Sequence, residues 1–257
     1  MQAVLSDLIV GNLFAFLLVF MRFGMAMIIM PGIGDGFVSA QIRLLFALSF
    51  SFILTPVLAH SLPPIPDQPA VFVLLMMSEA VIGIFIGTVM RILIAALDTA
   101  GMIVSIQASF SNALIFNPVT AVQGSLVGAL YSMMGVTLLM MSDMHHVMLA
   151  SLVESYKVYP VLQGMPEAKS LFEVISRAVS VSFLVGTQIA MPFIIVGLII
   201  QIGFGLLSRL MPQIQIFFLA QPVQIAACLL LLASVLSVSM SFWMNGYEQL
   251  IMQLLSR

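Results

Sequence analysis

The chain has 257 residues, 62% of them hydrophobic and 7% charged, with a net charge of −2 and a mean hydropathy of +1.21. An ordinary globular domain carries about 25% charged residues, so this chain cannot cover a water-facing surface, and a soluble monomer or a disordered chain is excluded. A nucleic-acid binder is excluded as well, because no basic excess exists to attract phosphates; the composition is that of an integral membrane protein.

In chain order, the first apolar segment runs from about Leu8 to Met30 and contains Arg22. Pro31-Gly32-Ile33-Gly34-Asp35-Gly36 breaks it, since glycines and proline do not sustain a helix. A second helix is predicted over Phe37 to Ala59, with Arg43 near its start and Pro56 near its end. Prolines 63, 64, 66 and 69 then make an extended loop outside the hydrocarbon. The third helix is predicted over Ala70 to Leu97 and carries Glu79 and Arg91.

Between Asp98 and Asp143 no residue is formally charged, yet the stretch does not read as one helix. Ser105, Gln107, Ser109, Ser111, Asn112, Asn117 and Pro118 interrupt it, and a fourth helix follows from about Val119 to Met141, with a continuation past His145 and His146 to Glu154 left open. Lys157 to Ser170 is the clearest hydrophilic connection. Leu171 to Ser208 would be about 57 Å long as one helix. It must therefore kink at Pro192, tilt or project beyond the bilayer. A tight turn at Ser208-Arg209-Leu210-Met211-Pro212-Gln213 leads into a last helix, Ile214 to Trp243, bent near Pro222, and the two form an antiparallel hairpin. The start, Met1 to Val10, lacks the positive region of a cleavable signal. Topology is weakly marked, and Arg209 makes its loop the choice for the cytoplasmic side.

Arg22, Glu79, Arg91, Arg177 and Glu248 lie within or beside apolar segments. A charge at the bilayer centre costs about 2.5–3.5 kcal/mol on insertion scales, so such groups face protein or water. An interhelical or intersubunit ion pair, with Arg22 and Glu79 as one pairing, a coupling-ion or proton site, and interfacial snorkelling all remain open. Asp143 and His146 share a helix face. His145 and His146 project about 100° apart and are not expected to bind one ion, so no metal is predicted. Cys228 lies among leucines and alanines and reads as a buried, inert thiol; one cysteine supports neither a disulfide nor a cysteine zinc site. No H-E-x-x-H, G-x-S-x-G or phosphate loop is present, so neither catalysis nor a cofactor is expected. The 21 methionines cluster at Met21 to Met30, at Met76 and Met77, and from Met133 to Met148. They read either as packing or as a deformable seal.

The segment from Ser105 to Pro118 is the most informative. Irregular backbone at membrane depth survives only where protein buries it or where it lines a water-filled cavity. Small polar residues alternate here with Phe110, Leu114 and Phe116, as in a hydrophobic constriction that closes a pore. An ordinary external loop is the other reading.

The chain resembles the FliR family of flagellar biosynthesis proteins and its type III secretion counterparts over nearly its whole length. The most specific block is Gly205 to Phe217, with Arg209, Pro212 and Gln213 in the turn, followed by Gln221-Pro222-Val223-Gln224-Ile225. Ala190-Met191-Pro192 fits the same pattern, and Gly101, Gln107 and Phe116-Asn117-Pro118 resemble the family's central segment, where many members have Asp in place of Asn117. Arg22, Pro31, Arg43, Pro56 and Glu79 occupy expected places in the first half.

The resemblance implies an all-α membrane-associated protein whose kinked helical hairpins pack into a larger helical export gate. It implies residues 1–170 as a FliP-like region and 171–257 as a FliQ-like hairpin. One copy of the chain would join several FliP and FliQ subunits in the bacterial inner membrane, at the flagellar basal body, with part of the assembly protruding toward the periplasm. FlhB, and FlhA with it, would be further partners, unfolded flagellar proteins transient substrates, and lipid the surroundings. By position, Gln107, Phe110, Leu114, Phe116, Asn117 and Pro118 would plug the closed channel, and Arg209 to Gln213 would meet FlhB at the entrance. The rival reading is a proton- or ion-coupled secondary transporter using Arg22, Glu79 or Asp98, a class that often shows internal repeats; no convincing repeat between the halves is visible.

Overall fold

A computed structural model describes residues 2–110, 125–161, 166–211 and 216–255, with side chains described from residue 10 onward except at 216–219 and 252–255. All longer regular structure among the described residues is α-helical: α1 (Gln2–Ile29), α2 (Ala40–Leu58), α3 (Pro69–Gln107), α4 (Leu126–Met141), α5 (Met144–Val158), α6 (Ala168–Leu210) and α7 (Ile216–Leu255), with one 3-10 turn at Ala59–Ser61. Five stretches are long and apolar enough to cross a membrane: Val10–Ile29, Ala40–Ser61, Pro69–Gln107, Ala168–Leu210 and Ala220–Ile251. The pair α4 and α5 would be a sixth if counted as one broken span.

The breaks follow backbone chemistry. After α1, Gly32 takes φ 85°, and its N–H donates to Asp35 Oδ2 at 2.8 Å. Ser39 caps α2 by accepting from the Ile42 N–H, satisfying one of the donors that a helix start leaves open. Between α4 and α5, Asp143 takes φ 58°, the left-handed region that stops a helix.

Three predicted boundaries need correction. Helix α3 does not stop at Leu97 but runs through Ser105 to Gln107. Polar residues did not break it, because Ala100, Val104 and Ala108 continue its buried face, while Ser105 Oγ lies 2.6 Å from Ser125 Oγ. Helix α6 continues through Ser208 and Arg209 to Leu210, so the first part of the predicted turn is helical; Pro212 and Gln213 lie outside the described residues. Helix α7 passes Trp243 and reaches Leu255, since Trp243, Tyr247 and Ile251 repeat every four residues and are all buried. Both Pro192 and Pro222 sit inside continuous helices.

The chain divides into two compact units, one of Met1–Ile92, Leu139–Ala178 and Gln249–Arg257, the other of Leu93–Leu138 and Val179–Glu248. In the first, glycines on α3 allow close helix approach. A Cβ on Gly83 would strike the Arg22 carbonyl oxygen, and one on Gly87 would lie 2.9 Å from that of Ala26. Glycines four residues apart thus let α1 and α3 touch along their backbones. Phe23, Met27, Met30, Ile82, Val89 and Met148 fill the core around this seam.

In the second unit, Trp243 is fully buried and its Nε1–H donates to the Leu93 carbonyl at 3.1 Å. Gly101 and Gly128 mark the backbone contact of α3 with α4, and Gly186 brings α6 against Ala96 of α3. A Cβ on Gly246 would lie 3.8 Å from Val185 Cγ2, the pairing expected of α6 and α7 as an antiparallel hairpin. Cys228 is buried and free. The methionines split: Met27, Met30, Met90, Met144 and Met148 are core, whereas Met77, Met102, Met133 and Met141 are exposed.

Candidate functional site

The first unit holds a charged cluster at its centre. Arg22 on α1 and Glu79 on α3 are both completely buried and form a bidentate pair, Nε to Oε2 at 2.7 Å and Nη2 to Oε1 at 2.8 Å. Glu79 stands one helical turn before Gly83, so the glycine seam that presses α3 onto α1 sets the carboxylate opposite the guanidinium. The end of α5 completes the coordination. Arg22 Nη1 donates to Ser155 Oγ at 3.0 Å, Nη2 to the Tyr159 carbonyl at 2.9 Å, and the guanidinium lies 3.8 Å over the Tyr156 ring. A planar, always-charged fork satisfies this many acceptors where an ammonium would not. Of the readings open from sequence, the ion pair is the one the geometry shows: the two groups are buried against each other and tied to three helices.

A second pair closes the α1–α2 connection. Asp35 Oδ1 accepts from Arg91 Nη1 of α3, while its other oxygen holds Gly32. Arg43 of α2 donates to the Gly34 carbonyl at 3.3 Å. The connection is therefore held by basic side chains from two helices.

The second unit presents the ends of the central segment. Helix α3 finishes in a Schellman motif, with Ser109 left-handed at φ 61°. Its N–H donates to Ile106 O at 3.1 Å, and that of Phe110 to Ser105 O at 3.0 Å. Gln224 of α7 donates from Nε2 to the Gln107 carbonyl. A Cβ on Gly197 of α6 would lie 2.5 Å from Gln107 Oε1, so the glycine makes room for that amide. Across the segment, Ser125 Oγ donates to the Gly101 carbonyl at 2.8 Å and accepts from the Gly128 N–H at 2.9 Å, capping α4. Asp98 of α3 accepts from Ser132 of α4.

The predicted site residues thus fall into three groups. Arg22 with Glu79 are brought together, and Arg91 meets Asp35. Gln107 and Phe110 are half-buried at the end of α3, whereas Arg177 and Arg209 are exposed. Leu114, Phe116, Asn117, Pro118, Pro212 and Gln213 lie outside the described residues. Sequence reasoning missed Ser155, Tyr156 and Tyr159 around Arg22, and gave no role to Asp35, Ser125 or Gly197. The spacing Glu79, Gly83, Gly87 was the available signal for the first cluster.

The histidine expectation also needs correction. The rings of His145 and His146 lie 4.1 Å apart, and their ligand atoms and that of Asp143 lie within 4.8 Å of one another. The rings approach each other despite the angle between their Cα–Cβ bonds, because rotation about the side-chain bonds moves the ring atoms; His146 is exposed, while His145 keeps its Nδ1 buried. The positive end of the α5 dipole opposes a cation there.

Residues 13–250 match the sequence profile of the bacterial export proteins, family 1. The chain belongs to this family. It is 37% identical over 234 residues to the flagellar biosynthetic protein FliR of Caulobacter vibrioides, covering 91% of this chain and 93% of that protein. The Bacillus subtilis protein of the same name is 26% identical, covering 87% and 86%. The Yop proteins translocation protein T of Yersinia pestis is 27% identical, covering 89% and 88%. This FliR-family chain is a membrane-embedded subunit of a type III export apparatus, and the secondary-transporter reading is not favoured.

Proposed function

We propose that the chain is the single-copy subunit of a flagellar export gate that helps form and close the channel through which unfolded flagellar proteins cross the inner membrane. The identity to FliR of Caulobacter vibrioides along nearly the entire chain carries this reading. FliP and FliQ are its partners in the gate, residues 1–170 playing the FliP-like part and 171–257 the FliQ-like part. FlhB and FlhA contact the assembly from the cytoplasmic side, where Arg209, Pro212 and Gln213 form the contact. Part of the assembly protrudes to the periplasm. The chain has no catalytic role and needs no cofactor; Arg22, Glu79 and Arg91 hold helices together.

The segment Gln107 to Pro118 is the plug. Support comes from its ends: Gln107 is held by Gln224, and Ser125 is held by α3, as a stopper between fixed points requires. Deleting residues 110–116 should make the membrane leak ions while the complex still assembles. Unchanged conductance in an intact complex overturns the plug assignment. Native mass spectrometry of the purified complex should find one copy of this chain with several small apolar partners, and a stable homodimer would sink the gate reading.

A further inference from the structure

Within the first unit lies a cavity of about 420 Å³ between α3, α5, the start of α6 and the end of α7. That volume is in the range of small-molecule sites, about 300–1,000 Å³. Phe85, Val89 and Met90 of α3 and Ile251 of α7 make an apolar wall, and Glu154, Glu173 and Arg177 supply the charges. Several polar groups at the wall already have partners. Ser151 and Ser155 donate to the carbonyls of Met148 and Leu152 at 2.6 Å, and Glu154 binds Lys157 at 2.8 Å.

Glu173 and Arg177 are different. They stand four residues apart on one face of α6, an arrangement that normally pairs, yet neither side chain makes a hydrogen bond or ion pair with another described residue. Two opposite charges about 6 Å apart along the axis are thus left for a ligand that carries both signs. Beyond them, α6 has no charged residue from Ala178 to Ser208. The two stand at the end of this uncharged stretch, as charges at a lipid headgroup boundary do.

We propose that this cavity binds a zwitterionic phospholipid bearing a primary amine. Arg177 takes the phosphate, for which a guanidinium is the matching fork. Glu173 takes the ammonium, and one acyl chain runs along Phe85, Val89 and Met90. An anionic lipid without an amine leaves Glu173 unmatched, and a quaternary amine offers it no N–H donor. The proposal is independent of the plug reading.

The test is native mass spectrometry of the full chain in detergent with added phosphatidylethanolamine, phosphatidylcholine or phosphatidylglycerol of the same acyl composition. Phosphatidylethanolamine should be retained most. Arg177→Gln and Glu173→Gln should each lower its retention roughly ten-fold, the scale of one lost charge-assisted hydrogen bond, while Arg209→Gln leaves it unchanged. Both altered side chains are exposed, so a circular dichroism melt matching the wild type should accompany the loss. Equal retention of the three lipids, or wild-type retention by both variants, overturns the proposal. In cell membranes, a photo-cross-linker at position 177 should capture lipid; capture of another protein of the apparatus also overturns it.

Discussion

A Cβ on Gly87 of α3 would lie 2.9 Å from the carbonyl oxygen of Ala26 on α1. The obstacle is backbone, which cannot swing aside as a side chain can, so the two helices must separate to admit any other residue. The same seam places Glu79 against Arg22, and the glycine thus acts on the charged cluster from two turns away.

Gly87→Leu should therefore destabilise the chain by about 1–3 kcal/mol, the usual cost of overpacking, and Gly87→Ala should fall between it and the wild type. Gly11→Ala is the control, because nothing lies within 4 Å of its added Cβ. It should be neutral or stabilising by up to about 1 kcal/mol. Thermal midpoints in detergent order the variants, and a Gly87→Leu midpoint equal to wild type contradicts the seam.

Replacing Glu79 with Leu leaves the Arg22 charge buried without its partner and should cost about 3–5 kcal/mol. Arg22→Met alone should cost a similar amount. The double variant should recover much of the loss, because two apolar residues strand no charge. Protease protection in membranes reads the difference, and a double variant as damaged as the sum of the singles argues that the pair does more than hold helices.

Ser109 holds a left-handed conformation at φ 61°, which costs a non-glycine residue about 1–2 kcal/mol. Ser109→Gly should stabilise the end of α3 by about 1 kcal/mol, and Ser109→Val should weaken it. Hydrogen exchange at the Ala108 amide, bonded to Val104 O at 2.8 Å, should slow in the first variant and quicken in the second.

Gln224→Leu removes the donor to the Gln107 carbonyl. Loss of one such bond, about 1 kcal/mol, should speed local opening about five-fold at residues 104–108. Gly197→Ala, which displaces the Gln107 amide, should act in the same direction. Exchange rates equal to wild type in both variants would mean that α6 and α7 do not hold the end of α3.

Much of the architecture was legible because its cues are backbone cues. Pro31 with Gly32, and the close run of prolines at 63, 64 and 66, cannot sustain a helix, and the structure breaks there, with Pro69 opening α3 at the first position, where proline is tolerated. The end of α3 was misread for a different reason. Polarity reports what a side chain needs, and Ser105 finds its partner in Ser125, 20 residues further along the chain. The pairing of Arg22 with Glu79 was open to guess because both charges stand out against apolar neighbours. Ser155 and Tyr159 did not stand out: they lie 133 and 137 residues from Arg22, and a hydroxyl or a carbonyl carries no mark of its destination. The glycine spacing on α3 was visible, but which helix it would meet was not.

The buried thiol of Cys228 has a practical consequence. With its single cysteine enclosed in the second unit, the wild-type chain is silent toward water-borne maleimides, and any thiol introduced on its surface can be labelled without first deleting the native one. Conversely, the rate at which Cys228 itself becomes reactive is a clock for the opening of the α7 surroundings, readable in living cells while export is running.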